Sequence, residues 1–173
     1  MRVLLFTIAL AAAVAWATPA GGAGSPLHVT GGGTGTFAAD LDGDGDIDGS
    51  HFGIGAVFSA GVVRGHFECQ MAGNADILGL PLMAVEGKVT DGWVNAEAAT
   101  AMLTGTATVN LANGIQFRNV SYEVRLEAGG PGAGHLRLTV IGAFAGVPGD
   151  TNPNNNNYDL PIETVATGQI TVH

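Results

Sequence analysis

Five aspartates occupy alternate positions within nine residues, Asp40, Asp42, Asp44, Asp46 and Asp48, and they make up a third of the 15 acidic residues of the chain. Carboxylates held this close repel one another unless a cation sits among them. A hard ion suits an all-oxygen donor set. Calcium accepts about six to eight oxygens at irregular angles, whereas magnesium keeps its waters and demands near-octahedral geometry, so calcium is the expected ion.

The run D-L-D-G-D-G-D-I-D-G-S-H, residues 40–51, resembles the EF-hand calcium loop, most closely its dockerin-type form. The resemblance implies that Asp40, Asp42 and Asp44 supply side-chain oxygens and that Gly45 makes the sharp turn. It further implies that Asp46 offers its backbone carbonyl, that Ile47 fills the apolar position, and that Asp48 acts directly or through water. Two departures from the family stand out. The last loop position holds His51 where the pattern has Glu or Asp, so another carboxylate, Asp76 or Asp159, would have to complete the shell. A single copy is followed by a strand-like segment, so the cohesin binding of paired dockerin loops is not implied. A structural staple is expected rather than a sensor, since extracellular sites work at calcium levels of ~10⁻⁴ to 10⁻³ M, where the ion is always present.

Other chemistry finds less support. His66 and Glu68 alternate with apolar residues beside Arg64 and Gln70, which reads as a solvent-facing polar row rather than half of an acid–base site. His28, His135 and His173 show no zinc-ligand spacing. None of Ser25, Ser50, Ser59 and Ser121 lies in a G-x-S-x-G turn, and residues 31–35 lack the lysine that would make a phosphate loop. Cys69 is the single cysteine and alternates with Phe67 and Met71, so it reads as a buried small hydrophobe that cannot form an internal disulfide. Catalysis is therefore not expected.

The elements that must carry the acidic run are strands. The chain holds 28 glycines among 173 residues, more than twice the ~7% average, with no collagen period. Interior glycines cost helices ~1 kcal/mol each, and residues 95–102 form the only helix candidate. Apolar residues alternate over residues 63–71, 119–127 and 135–140, and less regularly over 28–38, 51–58, 82–89, 102–111 and 164–172. Turn signals at Ser59-Ala60-Gly61, Asp91-Gly92, Asn113-Gly114 and residues 129–132 separate them, Asn113-Gly114 predicting a two-residue type I′ hairpin. The expected fold is all-β, a small antiparallel up-and-down barrel of about eight strands, with a β-sandwich as the alternative. The asparagine-rich residues 149–161 read as a long polar loop.

Residues 1–17 match a secretory leader: Arg2, an apolar run too short for the ~20 residues of a membrane span, and a small-x-small end at Ala15-Trp16-Ala17. Residues 18–26 read as a flexible linker and 27–173 as one β domain. The expected location is therefore outside the cytoplasm, extracellular or periplasmic. A net charge of −9 with six scattered bases excludes nucleic acid as a partner, and the few aromatics fit poorly with an outer-membrane barrel. The function expected is a secreted, calcium-stabilised, non-catalytic binding or surface module, its partner an extracellular protein, a glycan or a small apolar ligand. A hydrolase or isomerase with its site at a barrel mouth, and a carrier of a small apolar ligand, are the alternatives.

Overall fold

A computed structural model describes residues 25–41, 45, 47–77, 80–111 and 113–173, with residues 72–77 and 80–82 described by backbone alone. The expected leader and nearly all of the linker lie outside the described residues. Nine strands form in chain order: β1 (Leu27–Thr36), β2 (Gly49–Ser59), β3 (Val62–Ile77), β4 (Leu80–Asn95), β5 (Thr100–Leu111), β6 (Gln116–Glu127), β7 (His135–Ile141), β8 (Tyr158–Asp159) and β9 (Glu163–Val172). All pairings are antiparallel and belong to one sheet. Consecutive strands from β1 to β7 pair as hairpins, and β9 joins β7 back to β1, so eight strands close into a ring. The all-β, up-and-down expectation holds.

The ring forms because period-2 apolar patterning must bury one face, and closure removes the free edges of an open sheet. The inner face carries Phe52, Ile54, Phe67, Cys69, Met71, Met83, Val85, Leu103, Val109, Tyr122, Val124, Leu138 and Val140, all buried. Tyr122 stacks on Phe67 with ring centroids 5.5 Å apart. Space for the tyrosine comes from absent side chains. A Cβ on Gly87 would lie 2.4 Å from its Cε1 atom.

The closing seam is short. β8 and β9 both pair with β7, Val140 with Tyr158, Thr139 with Asp159, Leu136 with Glu163 and His135 with Thr164. They act as one strand interrupted at residues 160–162, where Pro161 has no N–H to donate. Beyond Thr164 the strand turns to β1, pairing as far as Val29 with Val172, and His28 and His173 exchange backbone hydrogen bonds at the far end.

Local expectations fare unevenly. Ala60 and Gly61, with φ of 50° and 76°, make the two-residue β2–β3 turn. Asp91-Gly92 makes no turn. It lies inside β4, where the register against β5 shifts between Val89 and Asp91, so the dipeptide marks a bulge. Residues 95–102 are not helical either. A four-residue turn joins β4 to β5 there, and Asn95 Oδ1 accepts the Ala98 N–H at 3.0 Å. Around Asn113-Gly114 the Leu111 N–H bonds to Ile115 O, leaving three residues in the loop with Gly114 at φ 83°, rather than a two-residue type I′ turn.

The polar segment after β7 is ordered around Asp150, whose carboxylate accepts the N–H groups of Gly146, Asn152 and Asp159. Slight burial works against ionisation, but these donors outweigh it and hold Asp150 below its ordinary range. The segment ends in the buried Tyr158 and Leu160, and the Tyr158 hydroxyl donates to Pro148 O at 2.9 Å.

Substituting Gly87→Ala should push a methyl group into the Tyr122 ring and cost about 1–3 kcal/mol. Urea unfolding of the variant checks this, and an unchanged midpoint would mean that the inner face has slack at Tyr122.

Candidate functional site

The acidic run lies in the connection from β1 to β2. Its two ends are fixed by backbone and side chain together. Phe37 N–H donates to Asp48 O at 2.8 Å, Leu41 N–H donates to Asp48 Oδ2, and Gly45 N–H donates to Asp40 Oδ2 at 2.9 Å. Asp40 is half-buried, while Asp48 is 0% exposed at the entrance to the ring. Gly45 has φ of 103°, a conformation open to glycine at little cost. Ile47, expected to pack, is 60% exposed. Asp42, Asp44 and Asp46 lie outside the described residues. Among the described residues no three His, Cys, Asp or Glu side chains stand close enough to hold a metal ion.

The proposed completing residues differ in fate. His51 faces solvent on β2, opposite Thr34 and Gln70. The side chain of Asp76 is outside the described residues. Asp159 is committed elsewhere: Thr139 Oγ1 donates to its Oδ1 at 2.8 Å, Asn155 Nδ2 donates to Oδ2 at 2.5 Å, and Arg137 Nη2 lies 3.6 Å from Oδ1. The row Arg64, His66, Glu68 and Gln70 is exposed, as expected of a solvated strand face.

Immediately after Asp48, the chain turns a second polar group inward. The Ser50 hydroxyl donates to Glu163 Oε2 at 2.6 Å, and both residues are buried on the inner face beside Cys69. The Cβ of an alanine at residue 35 would strike this carboxylate, so Gly35 leaves room for it. Burial pushes the Glu163 carboxyl up to about 7, with the side-chain and backbone hydrogen bonds from Ser50 opposing the rise. Burial also pushes the Cys69 thiol far above its ordinary range; Glu163 adds to the effect, and a hydrogen bond to Ser50 opposes it. The thiol is therefore protonated and a poor nucleophile. Parity could have revealed the cluster: Ser50 shares the face of Phe52, Ile54 and Ala56, and Glu163 that of Val165.

Comparison with protein-family models, with curated proteins and with solved structures gives no match. No helix among the described residues is long and apolar enough to cross a membrane.

The raised carboxyl makes stability depend on pH in a defined direction. Between an unfolded value of 4.5 and a folded value of about 7, the native chain keeps a proton that the unfolded chain has released. Stability from this group is therefore full below the lower value and is lost as pH rises through the upper one, by roughly 3 kcal/mol at ~1.4 kcal/mol per pKa unit. Urea unfolding of wild type and Glu163→Gln at intervals from acid to neutral pH should show this slope only in wild type; parallel profiles would refute the assignment.

Proposed function

We propose that this chain is an exported, calcium-stapled β module that binds a partner and does no chemistry of its own. The observation that carries the reading is the pinning of the two ends of the acidic run: the Asp40 carboxylate receives the Gly45 N–H and the Asp48 carboxylate the Leu41 N–H. The connection from β1 to β2 is thus bent around carboxylates at both ends of an acidic run. A cation among the remaining carboxylates would relieve their repulsion and tie β1 to β2, next to the residues on which ring closure depends.

The non-catalytic part rests on accessibility and charge state. Ser50, Cys69 and Glu163 form an inward polar and thiol cluster just beyond this loop, yet all three are buried, and the thiol is held protonated. Large side chains occupy the inner face where a carrier would need space, Phe67, Met71, Met83, Tyr122 and Leu138 among them. Recognition therefore falls to the outer surface. Export follows from the leader pattern of residues 1–17 and agrees with a compartment in which calcium is abundant.

Calcium at ~10 mM should stabilise the protein by about 1.5–3 kcal/mol for a dissociation constant of ~10⁻³ to 10⁻⁴ M, relative to chelator. Thermal unfolding with calcium and with chelator measures this, and Asp44→Ala should abolish the difference. Identical midpoints in both solutions, together with no heat of calcium binding by calorimetry, would overturn the staple.

A further inference from the structure

The outer face where β4 to β7 meet carries a groove of about 300 Å³ lined by Trp93, Arg125, Glu127, His135, Arg137 and Ile162. The sheet register builds it. Trp93 pairs with Met102, Met102 with Arg125 and Arg125 with Arg137, forming one cross-strand row, while Thr100, Glu127 and His135 form the next. Trp93 on β4 is 46% exposed and Ile162, between β8 and β9, is 58% exposed, so two large apolar side chains stand open to solvent at the groove.

Two guanidinium groups directly opposite one another are unfavourable unless each has a counter-charge. Here each does. Arg125 Nε–H donates to Glu123 Oε1 at 2.6 Å, and Arg137 lies 3.6 Å from Asp159. His135 Nδ1 stands 3.4 Å from Glu127 Oε2. The face is therefore balanced in charge although the whole chain carries −9, and neither a strongly acidic nor a strongly basic ligand gains from it. What it offers is a half-exposed indole beside donors and acceptors. The terminal nitrogens of Arg125 have no hydrogen-bond partner among the described residues, and the Glu127 side chain is 59% exposed.

We infer that this groove binds a neutral saccharide. Each sugar hydroxyl can accept from a guanidinium and donate to a carboxylate at once, and the C–H face of a pyranose ring packs on an indole. A purely apolar ligand would desolvate the terminal nitrogens of Arg125 and the exposed Glu127 carboxylate while offering them no hydrogen bond. The volume falls at the lower end of the range for small-molecule sites, and the groups stand on paired strands that fix their spacing. The inference supplies a ligand class for the binding-module reading and rests on it. The calcium staple is read from thermal unfolding, so either claim can fail without the other.

The full chain would be screened against immobilised neutral glucans, galactans, mannans and xylans, with polygalacturonate alongside, and the best neutral oligosaccharide followed by calorimetry. Saturable binding of a neutral glycan is expected. Trp93→Ala should weaken it at least ~10-fold, Arg125→Ala about 3- to 10-fold, and Trp93→Tyr should retain most of the affinity by keeping an aromatic face. Circular dichroism of the variants confirms their fold. No neutral binding at millimolar sugar, preference for polygalacturonate, or affinity untouched by Trp93→Ala would each overturn the proposal. Mass spectrometry of the recovered oligosaccharide provides a separate check: shortening would leave the site in place and sink the non-catalytic reading.

Discussion

Everything in this molecule depends on closing the sheet across β7 and the interrupted strand formed by β8 and β9. Seven strands joined by successive hairpins bury one apolar face only if the last edge meets the first, and an open sheet would leave rows of unpaired N–H and C=O groups at both ends. One strand must therefore serve two neighbours in succession. Residues 158–164 follow β7, and residues 164–172 follow β1. The break at Pro161 falls within the stretch that follows β7, just before the strand passes to β1 at Thr164, and the missing N–H costs least at such an interruption. The seam is reinforced from the β6–β7 turn, where Gly129 and Ile170 exchange backbone hydrogen bonds and Gly132 N–H donates to Val165 O.

Closure around eight strands fixes the interior width, and side chains must fill it without voids. The solution pairs the largest groups with the smallest. Tyr122 lies over Gly87, and Glu163 over Gly35. A buried carboxyl there is tolerated because Ser50 supplies donors to it and because it can hold its proton. The same few residues thus join packing, hydrogen bonding and pH response at the point where β2, β9 and the acidic connection converge.

The strands were legible in the sequence because alternation survives even where glycines thin it out, and the inward face of residues 119–127 and 135–140 is the one that alternation indicated. Local dipeptides were less dependable. Asp91-Gly92 has the chemistry of a turn, but the ladder continues through it because β5 stays paired on both sides of the bulge, with the register shifted. The alanines of residues 95–102 favour a helix only in isolation; strands on either side override the preference. The carboxylate–serine pair escaped notice because its members stand 113 positions apart, and only ring closure brings them together. Position in the chain likewise said nothing of the outer groove, whose members come from strands that are neighbours only once the hairpins stack.

The backbone exchange between His28 and His173 makes the first and last strands neighbours like any other pair. Such a ring has no structural beginning. The order of its hairpins is cyclic, and the position of the termini is a property of the chain rather than of the architecture. A short link between the ends of β1 and β9, with a new opening at the exposed Ala60-Gly61 turn, would preserve every strand pairing except that one tight hairpin connection, making the fold a natural candidate for circular permutation and for insertion into a loop of another protein.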